Sequence, residues 1–128
     1  MTDMAKGALH GIKVLDLSRV LAGPSCTQVL ADLGAEVIKV ERPHIGDETR
    51  HWAPPKFSDD TSAYYATINR NKESLTVDIT TPAGQTIIKQ LVASSDIVVE
   101  NFKVGGLKQY GLDYDSLKQS NPRLIYAS

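Results

Sequence analysis

Three cations in this chain follow short apolar runs. Arg19 comes just after Ile12-Lys13-Val14-Leu15-Asp16-Leu17, Arg42 after Val37-Ile38-Lys39-Val40, and Lys103 after Ile97-Val98-Val99. Runs this short and this rich in branched residues read as strands. Gly23 and Pro24 follow the first run, and Pro24 suits the first turn of a helix. A few cations, a glycine that lets a backbone approach a ligand, and the free N–H groups of a helix start together make a phosphate-binding constellation. The competing reading is that these are ordinary solvated cations at loop ends, and pattern alone leaves both open.

Other chemistries fit poorly. No G-x-G-x-x-G follows the first strand, no G-x-x-x-x-G-K-[ST] occurs, and no G-x-S-x-G elbow is present. The single cysteine, Cys26, allows neither an intramolecular disulfide nor a cysteine cluster for zinc. Cys26, Val29, Leu30 and Leu33 share one face of a predicted helix, so Cys26 reads as a small buried hydrophobe rather than a nucleophile. His10, His44 and His51 lack ligand spacing and read as solvated loop residues. Trp52 reads either as packing or as a stacking surface for a base or acyl group. Asn69-Arg70-Asn71-Lys72 is a solvated turn or the polar wall of a site.

The elements that must position these residues follow a regular order. The first strand leads into a helix that stops at Gly34, where a left-handed residue suits the end. The second strand ends at Pro43, and residues 44–66 lose all periodicity, the mark of a long functional loop. Leu75-Thr76-Val77-Asp78-Ile79 alternates with period two as a third strand. Thr81 caps and Pro82 opens the next helix, whose apolar face is Ile87, Ile88, Leu91 and Val92. Ile97-Val98-Val99 is a fourth strand. A partial helix follows Gly105-Gly106, a capped helix runs from Asp113 to Gln119, and Leu124-Ile125-Tyr126 makes a fifth strand. The expected fold class is α/β, a Rossmann-like, open, mostly parallel sheet with flanking helices. In such a sheet ligands bind beyond the carboxyl ends of the strands, which gathers 18–23, 41–43, 79–81 and 100–103 at one edge.

At 128 residues the chain suits one domain. Its apolar fraction of 41%, charged fraction of 23% and net charge of -1 speak against a general nucleic-acid or membrane-surface binder. Residues 1–9 hold no apolar run long enough for a signal peptide or membrane span, which makes cytoplasm the default. The last strand has nothing after Ser128, so a piece of a longer chain is expected.

Five stretches carry a resemblance that covers nearly the whole chain: "GIKVLDLSRVLAGPSCTQVLADLGAEVIKVERP", "GDETR", "NRNKESLTVDI", "DIVVENFKVGGLKQYGLDYDSL" and "NPRLIYAS". Together they resemble the N-terminal part of class III CoA-transferases, a family of formyl-CoA, succinyl-CoA and carnitine CoA-transferases with a related acyl-CoA racemase branch. The resemblance implies that residues 1–128 are the N-terminal part of the CoA-binding α/β domain of a longer CoA-transferase. It implies coenzyme A or acyl-CoA as substrate with a carboxylate as the other small-molecule partner, and no metal, nucleic acid or membrane.

Carried over position by position, the resemblance puts Leu21 and Ala22 in the first turn against CoA and Arg42 beside its adenosine part. Val77, Asp78, Ile79 and Thr80 would line the adenine pocket, and Asn101, Phe102 and Lys103 the end of the "ENF" strand. Gln109 stands where the family is often basic, with Lys108 as a possible substitute. Leu21 replaces a glutamine frequent in formyl-CoA transferases, which argues against formyl or oxalyl specificity. The family's catalytic aspartate, which forms a mixed anhydride and then carries CoA as a thioester, lies downstream of "IYAS", so no catalytic residue is assigned here. An interlocked homodimer is implied for the full-length protein. The alternatives are a 2-methylacyl-CoA racemase-like member, disfavoured by the long 44–66 segment, and a non-catalytic CoA-binding domain should the chain end at Ser128.

Overall fold

A computed structural model describes residues 6–128. The N-terminal reading of residues 1–9 therefore falls in large part outside the described residues. Five strands form one sheet: β1 (Lys13–Asp16), β2 (Glu36–Glu41), β3 (Lys72–Thr76), β4 (Ile97–Val99) and β5 (Ile125–Ala127). Their order across the sheet is β3-β2-β1-β4-β5, and every pairing is parallel. The order reverses between β1 and β4, which is where an open α/β sheet forms its ligand crevice.

Helix α1 (Ala22–Asp32) links β1 to β2, and α3 (Pro82–Ala93) links β3 to β4. Gly34 ends the α1 connection at φ +101°, as a left-handed stop requires. Thr81 caps α3 by accepting the Gly84 N–H at 3.1 Å, and Pro82 opens it. The last connection is short: a 3-10 turn at Lys108–Tyr110 and α4 (Tyr114–Leu117), a single turn rather than the longer helix expected to Gln119.

The two faces of the sheet differ in chemistry. Leu15, Leu17, Val40, Val77 and Val98 meet Ile88 and Val92 of α3 and Leu117 of α4 in the main apolar core. On the opposite face Val14, Val37 and Val99 meet Ala31 and Ala35 in a smaller apolar cluster. Beyond it, toward the carboxyl ends, the same face carries charge. Asp16 stands beside Lys39 in the β1–β2 register, and Lys39 beside Ser74 in the β2–β3 register.

That polar face corrects two expectations. The buried side of α1 is Gly23, Pro24, Thr27, Gln28 and Ala31, because Thr27 hydroxyl donates to Asp16 and Gln28 Oε1 accepts the Arg70 N–H at 3.2 Å. Cys26 is therefore exposed rather than buried, along with Val29 and Leu33 on the outward stripe. The third strand starts at Lys72, earlier than its apolar alternation suggests. Lys72 points into the polar layer and donates to Asp16 at 3.2 Å with only 2% of its side chain exposed. The alternation of Leu75, Val77 and Ile79 then continues past the strand's end into the turn before α3.

Residues 44–66 are also more ordered than their composition suggests. They hold a 3-10 turn at Glu48–His51 and the start of α2 (Ala63–Asn69). Side-chain capping by Asp47 and Ser62 begins these two elements, a signal masked by the surrounding polar residues. Among the described residues no helix is long and apolar enough to cross a membrane.

Candidate functional site

The carboxyl ends of β1, β2 and β3, with the segment after β4, enclose a cavity of about 440 Å³. Its size falls within the range of small-molecule sites. Leu17, Ser18 and Arg19 come from the β1 end, and Glu41, Arg42 and Pro43 from the β2 end. Val77, Asp78, Ile79 and Thr80 come from the turn after β3, and Phe102 and Tyr110 from beyond β4. Of the residues expected at a ligand, the fold thus brings together Arg42, Val77, Asp78, Ile79, Thr80 and Phe102. Leu21, Ala22, Asn101, Lys103 and Gln109 are exposed and are not part of this wall.

Arg42 and Lys103 follow near-neighbouring strands, as expected, but only Arg42 lines the cavity. Lys103 lies beyond β4, which β1 separates from β2, and its side chain is exposed outside the cavity. The cations that line the cavity with Arg42 are Arg19 and Lys39, and Lys39 is paired with Asp47. Arg19 meets Phe102 instead. Its guanidinium lies 4.7 Å from the Phe102 ring centroid, a cation–π distance. Asn101 uses its amide on backbone: Oδ1 accepts the Arg19 N–H at 2.8 Å and Nδ2 donates to Arg19 O at 2.7 Å. Arg19 was recognisable in sequence by its place after the first strand. Its contact with Phe102, 83 positions away, was not.

A buried ionic layer fixes this crevice from behind. Lys39 Nζ lies 2.9 Å from Asp47 Oδ2, with 1% of each side chain exposed, and also donates to Ser18 O at 3.0 Å. Asp47 in turn accepts the N–H of Val20 at 3.2 Å and the N–H of Thr49 at 3.0 Å. Val20 has φ +68°, a left-handed conformation that a β-branched residue adopts only at a cost and only where its surroundings impose it. The Lys39–Asp47 pair and the Val20 bond are what impose it, and they set the course of the turn that carries Arg19.

Glu41 anchors the second strand's end. Its carboxylate takes two bonds from Arg50, at 2.6 and 2.7 Å, and others from Tyr65, Ser74 and the Asp47 N–H. Burial pushes this carboxyl up, but the donors, Arg50 foremost, outweigh it and hold the pKa at about 2. Burial likewise opposes ionisation of Asp47, and bonds from Thr49 and Lys39 bring its pKa below the ordinary value. Burial pushes the Tyr65 phenol up, reinforced by the Glu41 carboxylate. These carboxylates are ionised, fully engaged acceptors. They suit scaffolding, not proton transfer.

The open Rossmann-like sheet carries an arginine-bearing crevice at its strand ends, where sheets of this kind take their ligands. The model of CoA-transferase family III matches residues 9–128, and the chain belongs to that family. It is 52% identical over 135 residues to the succinate–glutarate CoA-transferase of Agrobacterium fabrum, a match that takes in 100% of this chain and 34% of the relative. It is 53% identical over 120 residues to the succinyl-CoA:glutarate CoA-transferase of Homo sapiens, covering 94% of this chain and 27% of that one. A crystal structure of a CAIB/BAIF family protein from Brucella suis superposes with a TM-score of 0.89 at 52% identity, over 94% of this chain and 32% of that one. The chain spans between 27% and 34% of the length of the two transferases.

Proposed function

We propose that this chain is the CoA-binding N-terminal segment of an acyl-CoA:carboxylate CoA-transferase, with the adenosine bisphosphate end of CoA lying in the crevice between Arg19, Arg42 and the turn 77–80. The observation that carries the reading is the joining of both arginines with apolar walls from Val77, Ile79 and Phe102 in one cavity. Guanidinium groups suit phosphate oxygens, apolar walls suit an adenine ring, and backbone groups of the 77–80 turn suit its polar edge.

On this reading CoA moves between carboxylic acids through an aspartyl intermediate whose residue lies downstream of this segment. The named activities of the two transferases compared above favour dicarboxylates of the succinate and glutarate class. The long 44–66 segment favours transfer over racemisation. A cytoplasmic protein that works as an interlocked homodimer completes the proposal, and residues 1–128 alone are expected to be inactive.

The test is turnover by the native protein. Succinyl-CoA and glutarate should yield glutaryl-CoA and succinate, and hydroxylamine added during turnover should modify an aspartate. If α-proton exchange on a 2-methylacyl-CoA is seen without CoA transfer, the racemase assignment replaces this one.

A further inference from the structure

Arg19 and Arg42 come from different strand ends, yet one carboxylate joins them. Glu48 Oε1 accepts from Arg42 Nη2 at 2.9 Å and from Arg19 Nη1 at 3.2 Å. Two guanidinium groups this close repel each other, and a shared anion between them is what lets them stand side by side. The carboxylate itself is not part of the cavity wall, although both arginines are. Arg42 Nε donates to Gly46 O at 3.4 Å, while Arg42 Nη1 and Arg19 Nη2 make no hydrogen bond among the described residues. Arg19 Nε and Glu48 Oε2 are both buried and without a hydrogen-bond partner among the described residues, so the carboxylate holds the two arginines through Oε1 alone.

The base that holds Glu48 is rigid. Its 3-10 turn begins at Asp47, which Lys39 fixes in the buried ionic layer. Arg19 is fixed independently, through its backbone by Asn101 and through its guanidinium by Phe102. Long flexible side chains lose entropy when ordered at a ligand, so ordering them beforehand strengthens binding.

We infer that Glu48 is a positioning residue that sets Arg19 and Arg42 as a paired grip for phosphate groups of the ligand. The inference rests on the CoA reading above. It differs from a simple charge effect, because a carboxylate near the site would weaken anion binding if charge alone mattered.

Two neutral variants separate geometry from charge. Glu48→Gln keeps an oxygen that can accept from both arginines, while Glu48→Ala removes it. Both lose the same charge, so long-range electrostatics cancels between them. In the native protein, calorimetric titration with CoA at moderate salt should show Glu48→Gln binding about tenfold more tightly than Glu48→Ala. Their melting temperatures should agree within about 2 °C, since partly exposed pairs of this kind add little stability. Equal CoA affinity of the two variants, with wild type binding normally, overturns the positioning role alone. A wild-type protein that does not bind CoA overturns the CoA reading and this inference with it.

Discussion

Lys39 and Asp47 meet at 2.9 Å with 1% of each side chain in contact with solvent. This pair ties the middle of β2 to the 3-10 turn after it, and through Val20 to the turn after β1. Removing one partner leaves the other charged and buried, which typically costs about 3–5 kcal/mol. Lys39→Met should therefore lower the unfolding free energy by roughly that amount in urea denaturation. A loss under about 1 kcal/mol would show that the pair behaves like a solvated surface pair.

Acid should act through Glu41. Its folded pKa of about 2 lies below the ordinary 4.5, so the folded state binds fewer protons than the unfolded chain as pH falls between these values. The stability it contributes is complete above pH 4.5 and is lost as pH drops toward 2. Asp47, also shifted downward, adds to the loss at the lower end. Denaturation midpoints measured from pH 7 to pH 3 should fall for the wild type and fall less steeply for Glu41→Gln, which starts lower at neutral pH. Parallel curves for the two proteins would remove Glu41 as the source.

Gly23, in the first turn of α1, packs against Ser18 just past the end of β1. A β-carbon there would lie 2.2 Å from Ser18 Cβ and 2.3 Å from Ser18 Oγ. Ser18 cannot easily yield, since it is buried and both its N–H and its hydroxyl donate to Asp16. Gly23→Ala should destabilise by about 1–3 kcal/mol, the usual range for overpacking. Differential scanning calorimetry would register this as a melting temperature lower by several degrees, and an unchanged value would mean that α1 shifts freely.

Much of this was legible in the sequence because the apolar strands β1, β2 and β4 and the Thr81-Pro82 helix start carry local signals that tertiary contacts do not override. The resemblance supplied Val77–Thr80 and Arg42, all of which line the cavity. What was not legible comes from one cause. A layer of charge lies buried under α1 and α2, where pattern reading expects hydrocarbon. Lys72 read as part of a solvated turn or the polar wall of a site, and Cys26, Val29 and Leu33 as one apolar face, because periodicity identifies a helix without saying which side the sheet will accept. The Arg19–Glu48–Arg42 cluster was hidden for another reason. Its members are brought together by the fold and have no fixed spacing in sequence.

The most direct measurement is calorimetric titration of CoA into the native protein and its Arg42→Ala variant. A guanidinium contact to phosphate contributes roughly 1.5–3 kcal/mol, so the variant should bind CoA about ten- to a hundred-fold more weakly. Lys103→Ala, outside the cavity wall, should stay within about threefold of wild type. Wild-type affinity in Arg42→Ala would contradict the placement of CoA in this crevice.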